Sequence, residues 1–331
     1  MTEKEESSSR NSFSDEKPVS LGMVSKSLDL WYASKHSRPC RHETDFINSL
    51  KPESCPYCGS KDIVRKGKQK KTKLQRWMCK SCGRRFTPLT GTIFEERKIP
   101  IAEWIEYLIH LFEYHSVSSA AYDNRNAGST GYYWLQKAFL VLKDYQDDIV
   151  LGDKVWIDET YVPIWKPRRE KKGSKGLRGL SRNLCCVCTG AAGGKTFLVF
   201  CGMGKPSSRK AWRSYSPHIP KGATLIHDGE RSHGILIDKL GLKSEVHTTE
   251  ETKGLKDALN PMYEVNKVHK YLKMFLGRHS GFGTEDLQDW LNLFCFLWNE
   301  GPNDSDRVTA FIDRAVRKRA VLRYSDWAES E

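Results

Sequence analysis

Two cysteine pairs constrain this chain before anything else does. CPYCGS at 55–60 and MCKSCG at 78–83 put Cys55 with Cys58 and Cys79 with Cys82; two residues separate each pair's members and twenty separate the pairs. That spacing is the one structural zinc sites use: each CxxC knuckle turns back so that both thiolates point at one centre, and two knuckles close a tetrahedron. Gly59 and Gly83 follow the second cysteine of each pair, where a positive φ closes the knuckle at no steric cost. The intervening DIVRKGKQKKTKLQRWMC reads as two strands around a basic hairpin, a zinc ribbon. Four thiolates fill the coordination shell, so this zinc is a scaffold and leaves no position open for chemistry. Arg65, Lys66, Lys68, Lys70, Lys71, Lys73 and Arg76 lie on that hairpin beside Trp77, a surface suited to gripping phosphate.

The chain is too long for a ribbon alone: 331 residues allow two or three domains. No apolar run is long enough to cross a bilayer, and MTEKEESSSRNSFSDEKPVS has no apolar signal segment, so a cytoplasmic, nucleoid-associated protein is expected. Reduced thiols follow from that setting, and Cys185, Cys186, Cys188, Cys201 and Cys295 read as small buried hydrophobes. The net charge of +13 is unevenly placed. Residues 1–50 carry 7 Lys/Arg against 8 Asp/Glu, residues 51–98 carry 14 against 4, and residues 166–182 carry 8 against 1. Two such blocks point to a polyanionic partner, nucleic acid before membrane.

The texture divides the chain into a disordered tail (1–42), the ribbon (43–98), a helical segment (99–150), an α/β domain (151–300) and a C-terminal helix and tail (301–331). In the helical segment, Ile101, Trp104, Ile105, Leu108, Ile109 and Phe112 recur at helical spacing, and Tyr132, Leu135, Phe139 and Leu142 share a face of a later helix. With a short helix and tight turn between them, the three suggest a helix-turn-helix whose last helix enters a major groove. A helical linker packed on the next domain is the alternative.

From residue 154 short strands take over. KVWIDETYV, NLCCVCTG and TFLVFCG, a helix at SSRKAWRSY, the strand ATLIH, another helix, the strand LKSEV and a closing helical stretch follow in the order of the ribonuclease H-like fold. In that order Asp158 lies mid-way along the first strand and Asp228 at the end of the fourth, on neighbouring central strands. Two carboxylates held together are costly unless a divalent cation neutralises them, and hard oxygen ligands suit Mg²⁺; two such ions would activate an attacking oxygen and stabilise the leaving one. Glu264, Asn266 and His269 near the start of the closing helix are candidates for a third ligand. Asn266, His269 and Lys273 lie on one flank of its apolar stripe and Glu264 on the other.

These motifs together resemble the zinc-ribbon insertion-sequence transposases, the prokaryotic group related to the Merlin elements. The similarity runs over roughly residues 43–300, through CPYCGS…RWMCKSCGRRFTPLTGTIFEERKIP, WIDETYV, HDGE, VNKVHKYLK and FGTEDLQDWLNLF. The resemblance implies a catalytic domain that cuts DNA at terminal inverted repeats and joins the 3′ ends to target DNA. It implies two catalytic Mg²⁺ or Mn²⁺ ions on Asp158, Asp228 and Asn266, with Lys273 seven residues on orienting phosphate, as in members whose third acidic position is Asn. One structural zinc, a homo-oligomer on DNA and no membrane contact complete the expectation. The basic insert at 166–182 is longer than that pattern. A zinc-ribbon regulator with an inactive catalytic domain, or a structure-selective nuclease without strand transfer, are the competing readings.

Overall fold

The computed structural model describes residues 41–163, 184–279 and 281–329. The N-terminal tail expected at 1–42 therefore falls almost wholly outside the described residues, as does the basic insert at 166–182.

Helix α1 (Arg41–Ser49) leads into the ribbon, where β1 (Ile63–Lys68), β2 (Gln75–Cys79) and β3 (Arg85–Phe86) pair antiparallel in sequence order. The basic hairpin forms as the sequence predicts, with Arg65, Lys66, Lys68, Lys70, Lys71 and Lys73 all exposed and the Arg65 guanidinium 5.5 Å from the Trp77 ring centre. The ribbon's own core is only Cys55, Cys79 and Phe86, backed by Ile63 and Trp77. So small a cluster contributes little burial, and the knuckles must hold the rest.

Helices α2 (Ile101–Phe112), α3 (Val117–Asp123) and α4 (Gly128–Leu142) follow. The apolar spacing does produce helices, but α4 is buried along most of its length: Trp134, Leu135, Ala138, Phe139, Val141 and Leu142 are all in the core. Tyr132, grouped by periodicity with that stripe, is instead exposed, although Gly131 and Trp134 on either side of it are buried. Only the first turn of α4 is free to approach a groove. Gly131 lets α3 and α4 come close, since a Cβ there would stand 2.6 Å from the Ala121 Cβ.

The large sheet contains β4 (Lys154–Val162), β5 (Cys185–Ala192), β6 (Lys195–Met203), β7 (Thr224–His227) and β8 (Lys243–Val246), in spatial order β6-β5-β4-β7-β8. The first three form an antiparallel meander, and β7 and β8 join β4 in parallel. Parallel neighbours need crossovers, supplied by α5 (Ser208–Tyr215) before β7 and by the 3₁₀ turn Arg231–His233 with α6 (Gly234–Leu240) before β8. A short helix α7 (Thr249–Thr252) precedes α8 (Tyr263–Arg278) and α9 (Leu287–Asn299). This is the α/β ribonuclease H-like arrangement. The sequence-predicted C-terminal helix is α10 (Asp304–Arg317), followed by α11 (Tyr324–Ala328).

Strand alternation sends side chains to two separate cores. Val162, Cys185, Val187 and Leu198 join α2, α4, α8, α9 and α10 in one continuous cluster that the ribbon's Leu74 also enters. Val155, Ile157, Cys188 and Phe197 face α5 and α6 in the other. Every residue of β5 is buried, which explains its run of Cys, Gly and Ala: helices cover both faces and leave room for small side chains. Cys185, Cys186, Cys188 and Cys295 are fully buried as expected, while Cys201 is half-buried. At Gly190 a Cβ would stand 2.2 Å from Cε1 of the buried Phe197 ring. Gly190→Ala is therefore expected to destabilise the protein by about 1–3 kcal/mol, the usual cost of overpacking, read as a lower urea midpoint at unchanged slope.

Candidate active site and metal centre

The parallel register brings the two sequence-predicted aspartates level. Trp156 pairs with Ile226, so two residues further along each strand stand Asp158 and, just past the end of β7, Asp228. Period-2 alternation places Asp158 on the α8 face with Val162 and Glu159 on the α5 face with Ile157. One Asp158 oxygen accepts the Glu159 backbone N–H at 2.8 Å, and the other lies 3.7 Å from His269 Nδ1. Asp228 Oδ1 accepts the Glu230 N–H at 2.9 Å. Burial, reinforced by the nearby charges of Glu159 and Asp228, pushes the Asp158 carboxyl up to about 7.

Helix α8 supplies the opposite wall. Its stripe of Val265, Val268, Leu272, Phe275 and Leu276 is buried as predicted, which turns the flank bearing Asn266, His269, Lys270 and Lys273 toward Asp158. These four residues and Asp158–Tyr161 line a cleft of about 420 Å³. The structure thus gathers Asp158, Asn266, His269 and Lys273 and leaves Glu264 outside. His269 is held down to about 3, mainly by burial and then by the Lys273 charge, so its imidazole is neutral. Its buried Nε2 makes no hydrogen bond among the described residues. Lys205 pairs with Glu230 at 3.0 Å at the rim.

Behind the sheet lies a polar chain that the sequence did not disclose. The Glu159 side chain, only 5% exposed, accepts the Tyr215 hydroxyl at 2.7 Å and faces His233 Nε2 at 3.0 Å. His227 Nδ1 accepts the Gly229 N–H at 3.2 Å, so this imidazole is protonated on Nε2, which donates to Ser244 Oγ at 2.9 Å. His233 Nδ1, 3.1 Å from His227 Nδ1, must then be the donor between the two rings. With its other nitrogen against a carboxylate, His233 is an imidazolium. Burial alone would lower its pKa; the hydrogen bond and charge of Glu159, with Asp228 and Asp158 beyond, outweigh that and raise it. His227 is pressed down to about 4 by burial and by the His233 charge. A fixed cation therefore stands behind the aspartates, 4.0 Å from Asp228 Oδ1. Glu159, next to Asp158 in the chain, is thus engaged on the far side of the sheet. Tyr215 and His233 carried no local signal, since their partner lies more than 50 residues away.

In the ribbon, the sulfurs of Cys55, Cys58, Cys79 and Cys82 all lie within 4.8 Å of one another. Cys55 and Cys82 are 3.7 Å apart, and Cys58 and Cys79 are 3.6 Å apart. Zn–S bonds of about 2.3 Å in a tetrahedron put neighbouring sulfurs about 3.8 Å apart, so the donor set fits zinc. Gly59 and Gly83 have φ of 73° and 70°, as the knuckle requires. The Cys82 N–H, aimed at the Cys79 sulfur, is the largest influence in holding that thiol down to about 6.

No helix among the described residues is long and apolar enough to cross a membrane. No family model matches the chain. An uncharacterised protein of the transposable element ISH50, from Halobacterium salinarum, is 28% identical over 130 residues, covering 38% of this chain and 42% of that relative. The chain thus matches less than half the length of that relative. A pre-cleavage Mos1 transpososome is 11% identical over 64% of this chain and 74% of its own, at a TM-score of 0.26. The Mos1 mariner paired-end complex with Mn is 13% identical over 64% and 75%, at 0.27. The simian T-cell lymphotropic virus intasome is 10% identical over 59% and 68%, also at 0.27. Scores of this size carry no weight, and the fold assignment rests on this chain's own strand order.

Proposed function

We propose that this chain is a DDE-type transposase in its Asp-Asp-Asn form, cutting DNA at terminal inverted repeats and joining the freed 3′ ends to target DNA. The carrying observation is the convergence of Asp158, Asn266, His269 and Lys273 on one cleft, with the charge of Asp228 close enough to raise Asp158. The resemblance to insertion-sequence transposases and the likeness to a transposable-element protein support the same reading.

Asp158, Asp228 and Asn266 would hold divalent ions, Mg²⁺ or Mn²⁺. The residues fit: a carboxyl pushed up to about 7 beside a second carboxylate is a site whose strain a cation relieves. Two bound ions supply Lewis-acid activation of the attacking oxygen and charge neutralisation on the leaving oxygen. The chain's own groups do the rest. The Glu159 N–H fixes one Asp158 oxygen, and the Glu230 N–H fixes one of Asp228. Neutral Asn266 adds an oxygen without a third negative charge beside the DNA. Lys270 and Lys273 face the cleft and would grip a phosphate, and the His233 imidazolium offsets the carboxylates from behind. The ribbon, with zinc on its four cysteines, presents its basic hairpin to the element end.

Purified protein, Mg²⁺, DNA ends from the flanking repeats and a supercoiled plasmid are expected to give ends joined to plasmid, abolished by Asp158→Ala. Cutting without joining would make the chain a nuclease. Binding without cutting would favour the regulator reading, which the neutral Asn266 keeps in contention.

The raised Asp158 pKa predicts a stability signature. Its unfolded-state value is about 3.9, so ionising it in the fold costs stability progressively as pH rises from about 4 to about 7. In ion-free protein, Asp158→Asn is expected to raise Tm by roughly a few degrees at pH 8 and not at pH 4. Mg²⁺ should raise the wild-type Tm at pH 8 and leave the variant nearly unchanged. In a separate measurement, zinc chelation is expected to abolish hydrogen-exchange protection across residues 55–86 while the sheet of β4–β8 keeps its protection.

A further inference from the structure

We infer that the turn between α2 and α3 is a third metal site, independent of both the cysteine cluster and the catalytic cleft, for a borderline divalent ion of the zinc type. Its ligands are His110, His115 and Asp123, with Glu113 beside them. His110 lies in the last turn of α2, Glu113 caps that helix and Asp123 ends α3. His115 is brought back over them by Tyr114, a non-glycine residue at φ 66°. The His115 N–H closes that turn on the His110 carbonyl at 3.0 Å. A left-handed residue with a Cβ costs about 1–2 kcal/mol, offset here by packing of the Tyr114 ring on Phe275. The consequence is that the His110 and His115 rings face each other with centroids 5.1 Å apart.

The spacing separates a metal site from a set of surface ion pairs. His110, His115 and Asp123 each offer an atom within 4.8 Å of the others. His115 Nδ1 is 3.4 Å from Asp123 Oδ2, His110 Nδ1 is 3.8 Å from Glu113 Oε2, and His115 Nε2 is 3.9 Å from that same oxygen. Hydrogen bonds to carboxylates prefer about 2.7–2.9 Å, and the last two contacts are too long to be hydrogen bonds at all. Zinc bonds of about 2.0–2.1 Å in a tetrahedron place adjacent ligands about 3.4 Å apart, the separation of His115 Nδ1 from Asp123 Oδ2. The second observation is His110 Nδ1 itself, a buried ring nitrogen with no hydrogen-bond partner among the described residues, whereas buried polar atoms are usually satisfied. An ion bound among these side chains would satisfy it. Two imidazoles and a carboxylate suit zinc better than Mg²⁺, and the neighbouring Glu113 carboxylate adds to the negative charge around the ion. The groups are partly exposed, so an ion can enter. Bound there, it would lock α3 to α2 at the tight turn of the helical segment.

The test is zinc stoichiometry in full-length protein carrying Asp158→Asn and Asp228→Asn, which removes uptake by the catalytic cleft. After equilibration with zinc and desalting, elemental analysis of this parent is compared with His110→Ala and, separately, Asp123→Asn added to it. Each addition is expected to lose about one equivalent of zinc per chain, with the cobalt-thiolate absorption of the ribbon unchanged on Co²⁺ substitution. Asp123→Asn is nearly isosteric, at a partly exposed position, and guards against loss by misfolding. Zinc content equal to the parent in either variant, or a thiolate band lost with the zinc, would overturn the inference.

Discussion

Burial of a carboxyl group among other acidic residues is the constraint that the middle of this protein answers. Parallel pairing of β4 with β7 carries Asp158 level with Asp228, at the mouth of a cleft where both side chains stay partly exposed. A pair in that position either takes up a proton, gains a cation or is offset by the protein. Asp158 shows the first tendency, its carboxyl sitting near 7. The His233 imidazolium behind the sheet supplies the third. The cleft in front, walled by α8, has the donors for the second.

Strand alternation makes this possible with two consecutive acidic residues. Asp158 and Glu159 point to opposite faces, so one faces the cleft while the other is consumed by Tyr215 and His233. A one-residue slip of β4 would exchange those roles. The small residues of β5 and the Gly190–Phe197 contact hold the register by letting helices close on both faces.

The helical segment and the ribbon are joined to this core rather than strung before it. Residues of α2, α4, α8, α9 and α10 share one apolar cluster. The C-terminal segment ties back to the end of the ribbon through the Ala320 N–H on the Gly91 carbonyl. Such packing couples the basic hairpin to the large sheet, so that under the proposed function a DNA end gripped by one would be held in a defined relation to the other.

Much of this was legible from sequence because it depends on local period and spacing. The CxxC pairs fixed the four-sulfur cluster, the strand-helix order fixed the sheet, and the 100° step along α8 separated Asn266, His269 and Lys273 from Glu264. Tyr132 misled for the same reason: periodicity says which residues share a face and not which of them another element covers. What tertiary structure alone decided are contacts between residues far apart in the chain, where no local period operates. Examples are Tyr215 and His233 on Glu159, the burial of α4 by α9, and His269 beside Asp158. The sequence by itself determined which chemistry could be present. Only the closing of two helical layers on the sheet decided which acidic residue faces the cleft and which is neutralised behind it, because burial and charge proximity exist only once the chain has folded.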